Sequence, residues 1–291
     1  MGRFLGISAQ LGLLFVLLRL FEVEPGTGLP RILPLVFVGF IVHAVLPPPW
    51  RLPFFVFLSL SAIGLVLGPV PGAILVALGL VLIGVCHLPV AYSTRVLLLV
   101  LIAGVLASIR AGWIALPPAL LTSLAMPRLP RVVLQVLGSM FMFRLVIYLY
   151  DLRHEEESRA AGAPGPVRSV SPASVWMRLS YFFLLPNVCF LLFPIVDFRT
   201  YRRTYYDTEA QAIYQKGVWW ICLGLAYLLG YRLAYHYLVP SPEDVQGLGG
   251  VVRFMTSSYL IYLRVVGQFH LIVGLLCLFG FNLPTAHRYY L

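Results

Sequence analysis

Ala73-Ile74-Leu75-Val76-Ala77-Leu78-Gly79-Leu80-Val81-Leu82-Ile83-Gly84-Val85-Cys86-His87-Leu88 is an apolar run with no formally charged side chain. It is unbroken, whereas a transmembrane β-strand reads as a segment of about ten residues with alternating polarity. The pattern recurs on both sides, at Phe4–Phe21, Ile32–Leu46, Leu52–Leu67, Val96–Ile109, Val132–Tyr150, Leu179–Ile195, Val218–Val239 and Phe254–Phe281. Pro47-Pro48-Pro49, Pro69-Val70-Pro71 and Pro117-Pro118 punctuate the runs. A helix needs about 20 residues to cross the hydrocarbon core. Several early runs are shorter, so tilted or re-entrant segments are expected among them. The expectation is an all-α polytopic membrane protein with eight to ten transmembrane or re-entrant helices.

Composition agrees. Of 291 residues 60% are hydrophobic and 11% charged, with mean hydropathy +0.91, against about 25% charged residues in a soluble domain. Disorder, a coiled coil and a disulfide-stapled secreted domain are excluded, each needing far more charge or far more cysteine. The net charge of +10 comes from 21 Lys+Arg against 11 Asp+Glu, and Lys216 is the only lysine. In a membrane chain this basicity points to cytoplasmic loops and anionic lipid headgroups, with the lipid bilayer as partner and no nucleic acid. Cys86, Cys189, Cys222 and Cys277 lie inside apolar runs without C-x-x-C spacing, and no two histidines form H-E-x-x-H. No metal and no cofactor is expected. Glu22, Glu24 and Pro25 follow the first run where a cleaved signal sequence has small residues, so a retained helix is expected there.

Composition shifts at Asp151, which suggests three regions: 1–150 with amino-terminal membrane helices, 151–178 as an exposed flexible loop, and 179–291 as an aromatic-rich membrane region. Arginines crowd Asp151–Arg178 and again Phe198–Lys216, and simple alternation places these stretches on opposite sides. Pro186, Asn187 and Pro194 lie between them, and a proline inside a helix removes a backbone bond. A run broken near Pro186 or Pro194 brings both basic stretches to the cytoplasmic side and implies a protein-lined or watery cavity.

Polar groups inside apolar runs are the candidate channel residues. Arg144 and Arg264 must face protein or water, and Gln268 shares a helix face with Arg264. His270 falls on another face. His43, His87 and His236 read as structural. Asp197-Phe198-Arg199-Thr200-Tyr201-Arg202-Arg203-Thr204-Tyr205-Tyr206 mixes aromatic and basic residues, with Thr208 placed to cap a short helix after it. Arg199, Arg202 and Arg203 suit the entry of a charged donor, or else a basic collar at the membrane surface. Neither G-x-S-x-G nor a phosphate-binding glycine pattern occurs.

Two further stretches carry a family resemblance. Tyr181-Phe182-Phe183-Leu184-Leu185-Pro186-Asn187, continuing through Phe193-Pro194-Ile195-Val196-Asp197-Phe198, and Gly267–Leu275 with the exit Phe279-Gly280-Phe281-Asn282-Leu283-Pro284, resemble the membrane-bound O-acyltransferase family. The resemblance is particularly to the bacterial alginate O-acetylase and D-alanyl-transfer branch, with Phe193 standing where the family has glycine. The resemblance spans roughly Met140 to Leu291. It implies transfer of an acyl group from a thioester donor to a hydroxyl acceptor, with Pro186, Asn187 and Asn282 joining Arg144, Arg264 and Gln268 along the channel. The family's Trp-Arg-Arg motif and catalytic histidine follow the Leu-Pro exit, so residues 1–291 are expected to supply channel walls and donor entry rather than the base. Within them His270 and His287 are the candidates for a catalytic role. The expected location is a bacterial inner membrane. The alternatives are a non-catalytic membrane subunit packed against other membrane subunits, and a transporter, for which Arg144 and Arg264 speak and the lack of an internal repeat does not.

Overall fold

The computed structural model describes residues 2–114, 131–160, 172–190, 196–240, 243 and 245–284. In chain order the helices are α1 (Gly2–Leu20), α2 (Leu29–Val45), α3 (Pro48–Leu67), α4 (Pro69–Cys86), α5 (Tyr92–Ala111), α6 (Arg131–Val136), α7 (Met142–Ala160), α8 (Pro172–Phe182), α9 (Phe198–Arg203), α10 (Ala210–Leu233), α11 (Gly247–Leu260) and α12 (Leu263–Cys277). A π turn at Leu137–Phe141 joins α6 to α7, and another at Ala234–Leu238 extends α10. Among the described residues the sole β pairing is an isolated antiparallel bridge, Tyr205 with Phe281. Six stretches are long and apolar enough to cross a membrane: Gly2–Leu20, Pro48–Leu67, Pro69–Cys86, Tyr92–Ala111, Ala210–Leu238 and Gly247–Cys277. Leu29–Val45 is apolar but shorter. This is the all-α architecture of a multi-pass membrane protein, in which each helix satisfies its own backbone.

The helices outrun the apolar runs that announced them. α3 begins at Pro48 and α4 at Pro69, because the first helical turn has no use for a proline's missing N–H. The prolines that divide the runs therefore also start helices, and α3 and α5 reach 20 residues, about 30 Å at 1.5 Å per residue. Gly68, at φ +90°, makes the corner between α3 and α4 in a conformation that side chains resist.

The chain folds as two compact units that cut across a division at Asp151. One is built chiefly from Met1–Val45 and Arg203–Leu291, the other from Leu46–Leu191 and Ile195–Arg202. In the first, α10 and α12 run antiparallel with glycine facing glycine. A Cβ on Gly217 would lie 2.9 Å from the Gly274 carbonyl oxygen, and one on Gly224 would lie 2.9 Å from that of Gly267. Small residues let two backbones close to this range, where dispersion contacts hold helices that lipid cannot drive together. Ile221, Leu228 and Leu271 pack against the facing glycines, α1 packs on α10, and α2 packs on α1. The last apolar run is not one straight helix: α11 stops at Leu260 and α12 starts at Leu263.

In the second unit α3 pairs with α4, and α8 lies on α3. Gly79 of α4 admits the Phe183 ring, which a Cβ there would meet at 2.7 Å. Tyr148, Tyr181, Phe182 and Phe198 form an aromatic core with centroids 5.1–5.4 Å apart along the edge-to-face pairs. The run Leu179–Ile195 is broken: α8 ends at Phe182, and a 3-10 turn spans Leu185–Val188. Pro186 has no N–H to offer the Phe182 carbonyl, so the helix cannot continue through it. Pro194 lies outside the described residues.

Two local expectations are revised. The stretch after Asp151 is not a loop at its start, since α7 continues to Ala160. Glu156 pairs with Arg95 at 3.0 Å and Arg153 with Glu157 at 2.7 Å, so the charges that suggested a loop hold side chains along a helix. Thr208 caps no short helix: Glu209 holds the cap position of the long α10 without a side-chain bond. The short helix is instead α9, where Asp197 Oδ1 accepts the Thr200 N–H at 2.7 Å.

Candidate functional site

A polar junction of the first unit forms where the chain leaves α12. Gly280, at φ +88°, turns the backbone so that its carbonyl accepts the Tyr206 N–H at 2.8 Å. The Asn282 N–H then reaches the Thr204 carbonyl at 2.9 Å. No other residue type fits at Gly280, because a Cβ would sit 2.3 Å from the Tyr206 ring. The Gly-Phe-Asn-Leu-Pro exit is thereby fastened to the aromatic and basic segment ahead of α10.

The side chains flanking this bridge are also linked. The Lys216 ammonium donates to Asn282 Oδ1 and, at 3.3 Å, to the Leu283 carbonyl. Asn282 Nδ2 donates to Asp207 Oδ1 at 2.8 Å. The amide thus spans a cation and a carboxylate, which fixes which end of it is oxygen. On the other side of the bridge the Tyr206 and Tyr214 hydroxyls lie 2.8 Å apart, and His43 Nδ1 lies 3.5 Å from the Tyr206 hydroxyl. His43 is fully buried at the end of α2, its ring stacked on Tyr206 and edge-on to Phe279. The arrangement combines an ammonium group held for hydrogen bonding with a hydroxyl and imidazole chain able to relay a proton.

In the second unit, Arg144 is buried to 1% exposure. Its guanidinium donates to the Tyr181 carbonyl at 3.1 Å and to Asn187 Oδ1 at 3.0 Å, and lies 5.8 Å from the Tyr181 ring centre. Tyr181 is in the last turn of α8, where the helix leaves carbonyls unpaired and favours positive charge. Arg144 therefore caps the helix that Pro186 ends. Nearby, Asp151 Oδ2 accepts the Phe198 N–H at 3.0 Å. Burial pushes the Asp151 carboxyl above its ordinary range; the Phe198 N–H pulls it down, Asp197 pushes it up, and Arg199 pulls it down. A cavity of about 50 Å³ opens beside it, lined by Tyr148, Glu155, Arg178 and Arg202 among others.

Of the expected channel residues, Arg144, Pro186 and Asn187 are thus brought together, and Asn282 belongs to the other unit's junction. Arg264 is elsewhere in that unit, in a two-point ion pair with Glu24 at 2.6 and 2.7 Å. Gln268 is buried in α12. His270 Nδ1 lies 2.6 Å from the Val266 carbonyl oxygen, with its ring between Trp220 and Tyr227 of α10. It is packed within the helix pair and not brought to the junction. Arg202 and Arg203 are exposed and Arg199 is half-buried; His287 lies outside the described residues. Among the described residues no three His, Cys, Asp or Glu side chains gather into a metal-holding group.

Sequence reasoning missed Glu24, Asp207, Lys216, Tyr206 and the place of His43. A lone lysine in an arginine-rich chain was the one signal available for Lys216. The others are ordinary residues until the fold sets them side by side. No family model, no curated protein and no solved structure matches the chain.

Proposed function

We propose that this chain is part of the acyl-transfer machinery of a bacterial inner membrane, of the membrane-bound O-acyltransferase kind. In this reading it provides the channel walls and donor entry through which an acyl group passes from a thioester to a hydroxyl acceptor. The observation that carries it is the bridge between Tyr205 and Phe281. It ties one of the stretches on which the resemblance rests, the Gly-Phe-Asn-Leu-Pro exit, to the end of the aromatic and basic segment read as donor entry, with Lys216, Asp207 and Tyr206 bonded beside it. Arg199, Arg202 and Arg203 receive the anionic head of the donor from the cytoplasmic side.

Eight spans belong to the proposal: the six long apolar stretches, Leu29–Val45, and the apolar run Val132–Tyr150, beyond which the charged end of α7 from Asp151 onward lies outside the membrane. The test is donor binding by the purified protein in lipid nanodiscs, with radiolabelled acyl-coenzyme A as probe. Saturable binding that weakens in an Arg199→Gln, Arg202→Gln, Arg203→Gln triple variant is expected. Absence of saturable binding, or binding unchanged in the triple variant, rejects the reading.

A further inference from the structure

We infer that the groove formed by the end of α1, the end of α10 and the start of α12 binds the headgroup of a zwitterionic phospholipid. The inference does not depend on the acyltransferase reading. The groove has a volume of about 280 Å³. Its level in the membrane follows from the chain itself. Residues 21–28 connect two apolar helices, α1 and α2, so they sit where the hydrocarbon ends and headgroups begin. Glu22 and Glu24 lie in that connection, and Tyr231, Arg232 and Tyr235 meet them from α10. Tyrosines at this depth belong to the aromatic belt of a membrane surface.

The site is built before any ligand arrives. Glu24 is held in a left-handed conformation, φ +55°, ahead of the 3-10 turn Pro25–Thr27. Its carboxylate, only 5% exposed, takes both Nε and one terminal nitrogen of Arg264. Arg264 is itself 46% exposed and lies 5.7 Å from the Tyr231 ring centre, so the pair anchors a guanidinium whose outer edge faces the groove. Arg232 donates to the Phe21 carbonyl and is otherwise exposed, as is Glu22. Leu228 and Leu229 make the floor, and Leu233 continues it outward at 60% exposure.

Glu24 and Arg264 are joined in their ion pair, so the groove has no net formal charge, with Arg232 and Glu22 as its exposed cation and anion. A phosphodiester fits the outer guanidinium edges, whose planar donors suit phosphate oxygens. The cationic amine on the same headgroup then faces Glu22 and the tyrosine rings. Acyl chains run along Leu228, Leu229 and Leu233. An anionic headgroup without the amine leaves Glu22 opposed by nothing, which selects the zwitterion over phosphatidylglycerol.

The experiment is native mass spectrometry of the intact protein equilibrated with vesicles of an equal mixture of phosphatidylethanolamine and phosphatidylglycerol. Retention of phosphatidylethanolamine over phosphatidylglycerol by about tenfold is expected, one charge-assisted contact set being enough for that ratio. Arg232→Gln and Glu22→Gln each alter an exposed side chain, and each should remove most of the preference while circular dichroism and elution stay unchanged. Equal or greater retention of phosphatidylglycerol by the wild type overturns the assignment, and so does an unchanged preference in both variants. Soluble glycerophosphoethanolamine separates a lipid site from a site for the free headgroup. Little competition is expected, and competition as strong as that of the diacyl lipid overturns the lipid assignment.

Discussion

Gly224 and Gly267 face each other across α10 and α12 so closely that a Cβ on either would fall 2.9 to 3.0 Å from the other's carbonyl oxygen. The contact is backbone to backbone, so no rotamer change relieves an added methyl group. Gly224→Ala is therefore expected to destabilise by about 1–3 kcal/mol, as overpacking does. Gly84→Ala in α4, where nothing lies within 4 Å, should be neutral or slightly stabilising. Thermal unfolding in detergent, followed by tryptophan fluorescence, compares the two. Equal melting temperatures for both variants would show that the helix pair is looser than described.

Glu24 and Arg264 are 240 positions apart in the chain, and their ion pair closes the end of α1 onto the start of α12. With one partner buried and the other half-exposed, Glu24→Gln is expected to cost about 1–3 kcal/mol, largely through weakened hydrogen bonds to a charge. A double-mutant cycle with Arg264→Gln should return a coupling of about 0.5–3 kcal/mol. Simple additivity of the two losses would mean that the pair contributes nothing of its own.

Gly280→Ala combines a strained positive φ with a methyl group 2.3 Å from the Tyr206 ring. Tyr206 must leave, taking with it the contact to Tyr214 and the bonds that fasten the exit. A stability loss of about 2 kcal/mol or more is expected. Part of it should return when Tyr206→Ala clears the space, while the φ strain remains. If the second substitution recovers nothing, the steric half of the account is wrong.

Asp151 gives a pH dependence with a definite sign. Its folded carboxyl titrates above the ordinary 3.8 because burial disfavours the charge. Between the unfolded and folded values the native state holds the extra proton, so this group's contribution to stability is complete below the unfolded value and is lost as pH rises through the folded one. Melting temperature measured upward from pH 4 should therefore fall more steeply in the wild type than in Asp151→Asn, whose amide oxygen still accepts the Phe198 N–H. A variant with the same slope as the wild type would remove Asp151 from the titration.

The amino-acid sequence was enough for the class of fold because a backbone in lipid has few solutions. Apolar runs as long as Ala73–Leu88 can only be helical where no water satisfies N–H and C=O groups. Pro186 was equally legible, since a missing N–H ends a helix wherever it occurs. Helix starts were less so: Pro48 and Pro69 read as breaks and are also first turns. Asp151 marked a change of composition that is not a helix end, because ion pairs such as Arg95 with Glu156 keep charged residues helical.

What the tertiary structure alone decided is which surfaces meet. When nearly every face of a helix is apolar, periodicity does not say which one turns inward, so nothing in the string announces that Gly217 and Gly224 oppose Gly274 and Gly267. The same holds for partners far apart in the chain. Arg264 was legible as a charge that needs company, but its partner Glu24 depends on α1, α10 and α12 ending at one level. Asn282 was legible as part of an exit, but its place between Lys216 and Asp207 depends on the turn at Gly280. Polarity is a property of a residue, whereas pairing is a property of register and direction, and those are set only when the helices pack.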